Sequence, residues 1–312
     1  MRISLGPSPF DWGKNGFKNY YRKMAFETPV DLLYLGEVVC SKRQSLSARE
    51  MVELARELAP SGKEIVFSTL GLVMNAAEEE LLHQVAAAAA SGGWWLEAND
   101  MGGIAVGEGT PMVAGPHITT YNPETVDFLK KVGVRRVVYP VELSAQAIGE
   151  LIARQGDDVE GEVFCYGKLP LTFSARCYTA RAFQLSKSNC QYRCGDFPDG
   201  LAMRTQEGVP FLSINGTQTL SHRIYNLVNE VDRLERMGVG VIRLSPQSER
   251  MEEIVTVWHE RLQRRIGDEE AWRRLLEING GVPFCNGYFH GRSGLEYVEP
   301  GVSPPAIDAP VG

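Results

Sequence analysis

Short β-rich runs alternate with helical stretches along almost the whole chain, and this alternation limits the possible folds more than any other feature. The runs are Ile3–Leu5, Leu32–Leu35, Ile65–Phe67, Trp94–Leu96, Met112–Ala114, Val137–Tyr139, Val163–Tyr166, Phe211–Ile214 and Val239–Leu244. Most are apolar on both faces, as in parallel strands covered by helices. Ser47 and Glu50 spell a capping box that opens a helix running to about Leu58, before Pro60 and Gly62. Asn122-Pro123 reads as an N-cap with proline at the first helical position. A helix from about Ala76 to Ala90 ends at Ser91-Gly92-Gly93. Ile224, Leu227, Val228, Val231 and Leu234 share one helical face, and Gly238 closes that segment. Strands alternating with helices predict an α/β fold with a parallel sheet. Eight or nine strands in 312 residues favour a (β/α)8 barrel of TIM type, regular or irregular, over a doubly wound open sheet. Residues 1–298 are expected to form a single barrel-like domain. The tail 299–312, with Pro300, Pro304, Pro305 and Pro310, is expected to be disordered.

The net charge of −7, from 32 basic and 39 acidic residues, argues against a general nucleic-acid binder. Met1 to Phe17 is interrupted by Pro7, Pro9, Asp11 and Lys14 and has no signal-peptide core. No run approaches the roughly 18 apolar residues of a membrane span. The longest candidate, Val85 to Leu96, is mostly alanine and is broken by Ser91, Gly92 and Gly93. The expected location is the cytoplasm, where six cysteines are free thiols or metal ligands rather than disulfides.

Cys177, Cys190 and Cys194 are separated by twelve and three residues, and Cys40 lies directly after the second predicted strand. In a barrel, the strand ends converge on one face, whose loops build the site. The loop carrying the three later cysteines follows Val163–Tyr166, so all four thiolates are able to meet there. Four thiolates hold a 4Fe-4S cluster or a structural zinc, and the absence of a C-x2-C pair tilts the choice toward iron–sulfur. Ordinary buried cysteines are the plainer alternative. From Lys168 to Gly195 there is no acidic residue, but Lys168, Arg176, Arg181, Lys187 and Arg193 are present. Such a basic island suits an anionic cluster or another anion, or is simply a solvated loop. Cys165 lies inside an apolar strand and reads as core, and Cys285 reads as a non-ligand.

Polar groups follow several predicted strands: Glu37, Ser68, Glu97, Asn99, Asp100, His117, Glu142, Asn215 and Arg243. They suit a substrate site at a barrel mouth, although any barrel rim is polar. His117, directly after Gly115-Pro116, is the best-placed histidine. No G-x-S-x-G elbow, H-E-x-x-H motif, Walker loop or G-x-G-x-x-G fingerprint occurs in this sequence.

Several segments resemble UbiV-type proteins of the collagenase-like peptidase (UbiU/UbiV) family. They are Tyr34-Leu35-Gly36-Glu37 through Cys40-Ser41-Lys42-Arg43, Ser174-Ala175-Arg176-Cys177 with Cys190 and Cys194, and Cys285-Asn286-Gly287-Tyr288. Ser4-Leu5-Gly6-Pro7, Pro140-Val141-Glu142-Leu143-Ser144 and Arg243-Leu244-Ser245-Pro246-Gln247 belong with them, so the resemblance runs from about residue 3 to about residue 297. It implies a barrel-like fold and a 4Fe-4S cluster whose ligands correspond to Cys40, Cys177, Cys190 and Cys194. It further implies O2-independent hydroxylation of the aromatic ring in ubiquinone biosynthesis, with UbiU as heterodimer partner and UbiT as lipid-binding accessory protein. Prephenate is the implied oxygen donor, alongside the ubiquinone precursor. Glu37, Arg176 and His117 stand as substrate or second-sphere candidates. A related RNA hydroxylation protein and a non-catalytic metal-stabilised scaffold are the alternatives, and peptidase activity is not expected.

Overall fold

In the computed structural model, which describes residues 1–43 and 46–299, seven strands pair side by side in chain order, all parallel. They are β1 (Arg2–Leu5), β2 (Leu32–Gly36), β3 (Glu64–Ser68), β4 (Trp95–Ala98), β5 (Met112–Ala114), β6 (Val134–Tyr139) and the first half of β7 (Glu160–Phe173). The chain then makes β8 (Leu201–Arg204), β9 (Pro210–Asn215) and β10 (Gln218–Asn226) before β11 (Val241–Leu244). β11 pairs parallel with both β7 and β1, which closes an eight-stranded barrel. A final short strand, β12 (Phe284–Cys285), pairs with β10. The TIM-barrel-like α/β fold expected from the alternating pattern is therefore present.

Helices α1 (Gly13–Glu27), α2 (Ala48–Leu58), α3 (Ala76–Gly92), α4 (Met101–Val106), α5 (Pro123–Lys131) and α6 (Ala145–Gln155) connect the first seven strands. Their start signals act as the sequence indicates. Ser47 and Glu50 form a reciprocal capping box on α2, and the Asn122 side chain accepts from the Thr125 amide at the start of α5. A short helix, α7 (Tyr178–Ala182), lies in the long β7–β8 connection. Three more, α8 (Val231–Arg236), α9 (Met251–Leu262) and α10 (Asp268–Ile278), flank β11. Among the described residues no helix is long and apolar enough to cross a membrane. Residues 300–312, and with them almost all of the proline-rich tail, lie outside the described residues.

Alternate strand residues face opposite ways. Ile3, Leu33, Leu35, Phe67 and Leu96 point outward and pack under the helices with Met51, Leu54 and Ala89. Leu32, Tyr34, Val66, Val113, Val138 and Val241 form a separate inner cluster. The inner face is less apolar than the sequence runs suggest. Ser4, Glu97, Arg136, Glu162 and Arg243 are also buried there. The apolar runs at 137–139 and 163–166 stop one residue short of Arg136 and Glu162, because a search for apolar stretches ends at charges that closed-barrel pairing accommodates.

Two further readings of the sequence are corrected. The helical face at Ile224–Leu234 is partly strand: β10 runs to Asn226, and Ile224 sits opposite Lys168 of β7 and Phe284 of β12. The Asn226 side chain accepts from the Val228 amide and ends the strand, so a 3-10 turn spans Val228–Glu230 and α-helix begins only at Val231. The run at 211–214 is not a barrel strand but β9, part of an antiparallel extension ordered β7-β10-β9-β8. Gly167 (φ +121°) makes that extension possible. A Cβ there would stand 2.5 Å from Cβ of Ser245, and at this point β7 leaves the barrel to pair with β10.

Candidate functional site at the barrel mouth

Inside the barrel Arg136 and Arg243, with Arg2 at its edge, pair with the carboxylates of Glu64, Glu97, Glu160 and Glu162. Arg243 donates through Nε to Glu162 (2.7 Å) and through Nη1 to Glu97 (2.6 Å). Ser4 Oγ and Tyr34 Oη donate to the two oxygens of Glu162, each at 2.6 Å. Below them Arg136 donates to Glu64 and Glu160, both at 2.8 Å. Ser68 donates to Glu97 at 2.6 Å. Burial alone would push the Glu162 carboxyl up, but Arg243 and Arg136 outweigh it and hold the group below its ordinary range. Buried charges of this kind are tolerable only when paired and hydrogen-bonded.

Above this layer lies a narrow cleft lined by Gly6, Val38, His117, Phe164, Lys168 and Gln218, with Arg243 at its floor. Among the described residues, Arg243 Nη2 and Gln218 Oε1 are buried without a hydrogen-bond partner. Lys168 Nζ donates to the Asp199 carbonyl (2.6 Å) and to Ser213 Oγ (2.9 Å). The His117 ring meets Phe173 edge-on at 4.5 Å. Burial, then the charge of Arg243, pushes its pKa down to about 3, so the imidazole is neutral at physiological pH. Across Lys168 and Ser245 the cleft adjoins a larger cavity that includes Phe10, His222 and Arg250.

The Cys40 loop and the 174–197 segment interlock beside this cleft. Arg43, fully buried, donates to the carbonyls of Pro9 and Asn215, each at 3.1 Å, to Glu37 Oε1 at 3.2 Å and to Asn215 Oδ1. Asn215 in turn donates to the carbonyls of Cys194 (3.3 Å) and Phe197 (3.1 Å). Glu37 Oε1 also accepts from the amides of Val39 and Cys40 at 2.8 and 3.0 Å. Lys42 reaches the Lys187 carbonyl at 3.0 Å, and Thr217 reaches that of Val39 at 2.8 Å. Cys177 Sγ accepts from the Ala180 amide at 3.3 Å, and the Cys194 thiol faces Asp11 Oδ2 at 3.7 Å. Burial pushes Cys194 up to about 12; Arg43 opposes this, while Asp11, Cys177 and Cys40 lie close enough to reinforce it as like charges. Gln191 and Tyr192, between Cys190 and Cys194, both take left-handed backbone angles.

The candidates from sequence separate clearly. Cys177 and Cys194 are buried, whereas Cys40 and Cys190 are half-buried. Among the described residues, no three His, Cys, Asp or Glu side chains gather around the position of a single metal ion. Glu37 is buried, but as the partner of Arg43 rather than in the cleft. His117 and Arg243 line the cleft; Ser68 and Asn99 donate hydrogen bonds to Glu97 beneath it. Arg176 is exposed and away from the cleft lining, and Glu142 is bound to the Tyr121 hydroxyl outside it. Cys165 is fully buried with its thiol on the Val163 carbonyl (3.3 Å), and Cys285 is fully buried on β12. Sequence reasoning missed Arg43 and Gln218. The one available signal for Arg43 was a cation three residues after Cys40.

Fold and site define an α/β-barrel protein with a thiol-bearing loop pair at the rim. Residues 21–299 match the sequence model of peptidase family U32, and the chain belongs to that family. It is 23% identical over 195 residues to tRNA hydroxylation protein P1 of Bacillus subtilis (strain 168). That match covers 56% of this chain and 44% of the relative, so the chain spans less than half of its length. Among solved structures, a U32 peptidase superposes with TM-score 0.45 at 9% identity, over 79% of this chain and 92% of that one. A tryptophan synthase of Pyrococcus furiosus superposes with TM-score 0.41 at 14% identity, over 89% and 97%.

Proposed function

We propose that this chain is the iron–sulfur subunit of a UbiU–UbiV system for O2-independent hydroxylation of the aromatic ring in anaerobic ubiquinone biosynthesis. In this reading it is the UbiV-type member, and Cys40, Cys177, Cys190 and Cys194 hold a 4Fe-4S cluster. UbiU is its heterodimer partner, UbiT presents the lipid precursor, prephenate is the oxygen donor, and the work is done in the cytoplasm. The observation that carries the reading is the interlock of the Cys40 loop with the 174–197 segment through Arg43 and Asn215.

Four free thiols carried on two interlocked rim segments are the donor chemistry a 4Fe-4S cluster uses. When bound, the cluster supplies one-electron transfer. The surrounding residues have their own tasks. Glu37 orients the Cys40 amide, the Ala180 amide donates to Cys177, and Arg43 brings a buried positive charge next to thiolates that would otherwise repel one another.

Anaerobic purification with iron and sulfide reconstitution tests this. About four irons per chain with thiolate-to-iron absorbance, lost on Cys→Ala at 40, 177, 190 and 194 but kept at 165 and 285, is the expected result. Zinc, or no metal, would remove the redox reading and leave a scaffold. A second reading, RNA hydroxylation, is favoured by the similarity to a tRNA hydroxylation protein. In a deletion strain grown without O2, loss of ubiquinone with unchanged tRNA modification supports the first reading, and the reverse supports the second.

A further inference from the structure

Cations gather at the rim of this acidic chain. Lys42 Nζ donates to the Lys187 carbonyl at 3.0 Å, and Lys187 Nζ donates to the Ala175 carbonyl at 3.4 Å, next to exposed Arg176. Backbone carbonyls thus hold together cations from two segments far apart in sequence. Arg181 on α7 is exposed in the same loop. Among the described residues these four form no ion pair, whereas Arg193 is matched by Asp196. Glu78, which lines a groove with Lys42 and Lys187, is buried and accepts from the Ser41 hydroxyl and the Met74 amide. Like charges gathered in this way create a positive potential that favours an anionic partner.

The patch lies on the accessible side of the thiol set. Cys40 and Cys190 are half-buried, whereas Cys177 and Cys194 are buried. Lys42 follows Cys40 by two residues, and Lys187 precedes Cys190 by three. Tyr178 and Tyr192, 41% and 47% exposed, add apolar contact area to the same loop. The chain carries −7 overall although residues 168–195 hold five cations and no acid. A long polyanion would meet repulsion beyond the patch, and a compact partner with an acidic face would not. Small, charged contacts of this kind are typical of transient electron-transfer encounters.

We propose that the surface formed by Lys42, Arg176, Arg181 and Lys187 docks an acidic one-electron carrier protein beside Cys40 and Cys190. In the docked pair the carrier loses one electron and the 4Fe-4S cluster gains it, with no atom transferred. The destination of the electron rests on the functional reading; the docking rests on the charges.

The binding probe is gallium-substituted plant-type ferredoxin, acidic and redox-silent, with basic cytochrome c as the charge control. Each is titrated into the full chain, with and without reconstitution, by calorimetry and NMR line broadening. The ferredoxin is expected to bind, about tenfold more weakly at about 300 mM than at about 20 mM salt. Cytochrome c is expected not to bind. Lys42→Glu with Lys187→Glu should weaken ferredoxin binding about tenfold, whereas Arg49→Glu, a surface cation outside the patch, should not. Because Lys42 and Lys187 also tie the two segments together, Arg176→Glu with Arg181→Glu is the second probe; those side chains hold no other group among the described residues. In the reconstituted protein, reduction by native ferredoxin in stopped flow should follow the same salt and variant dependence. Photoreduction by uncharged 5-deazariboflavin should be the same in every variant. If the cluster assembles but the ferredoxin does not bind, or binds regardless of salt and of both variant pairs, the proposal fails and the functional reading stands. If the ferredoxin binds the metal-free chain through these residues but no cluster assembles, the functional reading fails and the docking surface stands. If single-stranded oligouridine binds through these residues more tightly than the ferredoxin at equal salt, the patch is a nucleic-acid surface and the proposal fails.

Discussion

Glu162 shows how much rests on one side chain in this barrel. It receives Arg243, Ser4 and Tyr34 and lies 3.9 Å from Arg136. Removing its charge leaves the buried Arg243 guanidinium short of one of its two carboxylate partners, which typically costs about 3–5 kcal/mol. Glu162→Gln should lower the unfolding free energy at neutral pH by that amount, read as a lower urea midpoint with an unchanged m-value. Because the folded-state pKa lies below the ordinary 4.5, this stability is present above about pH 4.5 and is lost as the pH falls through the folded value. His117 carries the opposite charge type but has the same acid sensitivity. Its folded pKa of about 3 is below the ordinary 6.5, so the unfolded chain takes up the proton first as pH falls. Stability should drop between pH 6.5 and 3 by up to about 1.4 kcal/mol per unit. His117→Gln should flatten that slope in pH-dependent thermal unfolding; an unchanged slope would refute the burial account.

At the scale of elements, β7 decides the geometry of the site. Its first half is a barrel strand and its second half anchors the antiparallel extension, with Gly167 at the switch. A side chain there would meet both a left-handed backbone and Cβ of Ser245. Gly167→Ala should cost about 1–3 kcal/mol, read as a lower melting temperature. It should also raise amide exchange in β9 and β10 while leaving β2 and β3 protected. Equal loosening of all four strands would mean that the switch is not local. The sequence signals for helix starts were reliable because caps are local chemistry: Ser47 and Asn122 each hold the first turn that follows. β8, β10 and β12 were not legible. Their residues pair with segments far away in sequence, and the apolar spacing at 224–234 fits a helix until those pairings are known.

Across the whole molecule, Arg43 joins the first third of the chain to the last. It links Glu37 after β2 to Asn215 on β9. Arg43→Gln alone should be strongly destabilising, since Glu37 is then buried without its cation. The double change with Glu37→Gln should cost clearly less than the sum of the single changes. A double-mutant cycle by chemical denaturation measures this, and additivity would show that the two do not act as a pair.

The chain by itself determined the α/β alternation, the caps, the burial of Cys165 in a strand and the position of Cys40 after a strand. These follow from periodicity and from local hydrogen-bonding chemistry, which act over a few residues. Only the tertiary structure decided that Arg136, Glu162 and Arg243 face inward together. It also decided that Arg43 and Asn215 tie the two cysteine-bearing segments to each other, and that Arg243 and Gln218 line one cleft. The physical reason is closure: a charge on a strand reads as a break until a barrel supplies its partner from another strand, 81 residues away for Glu162 and Arg243.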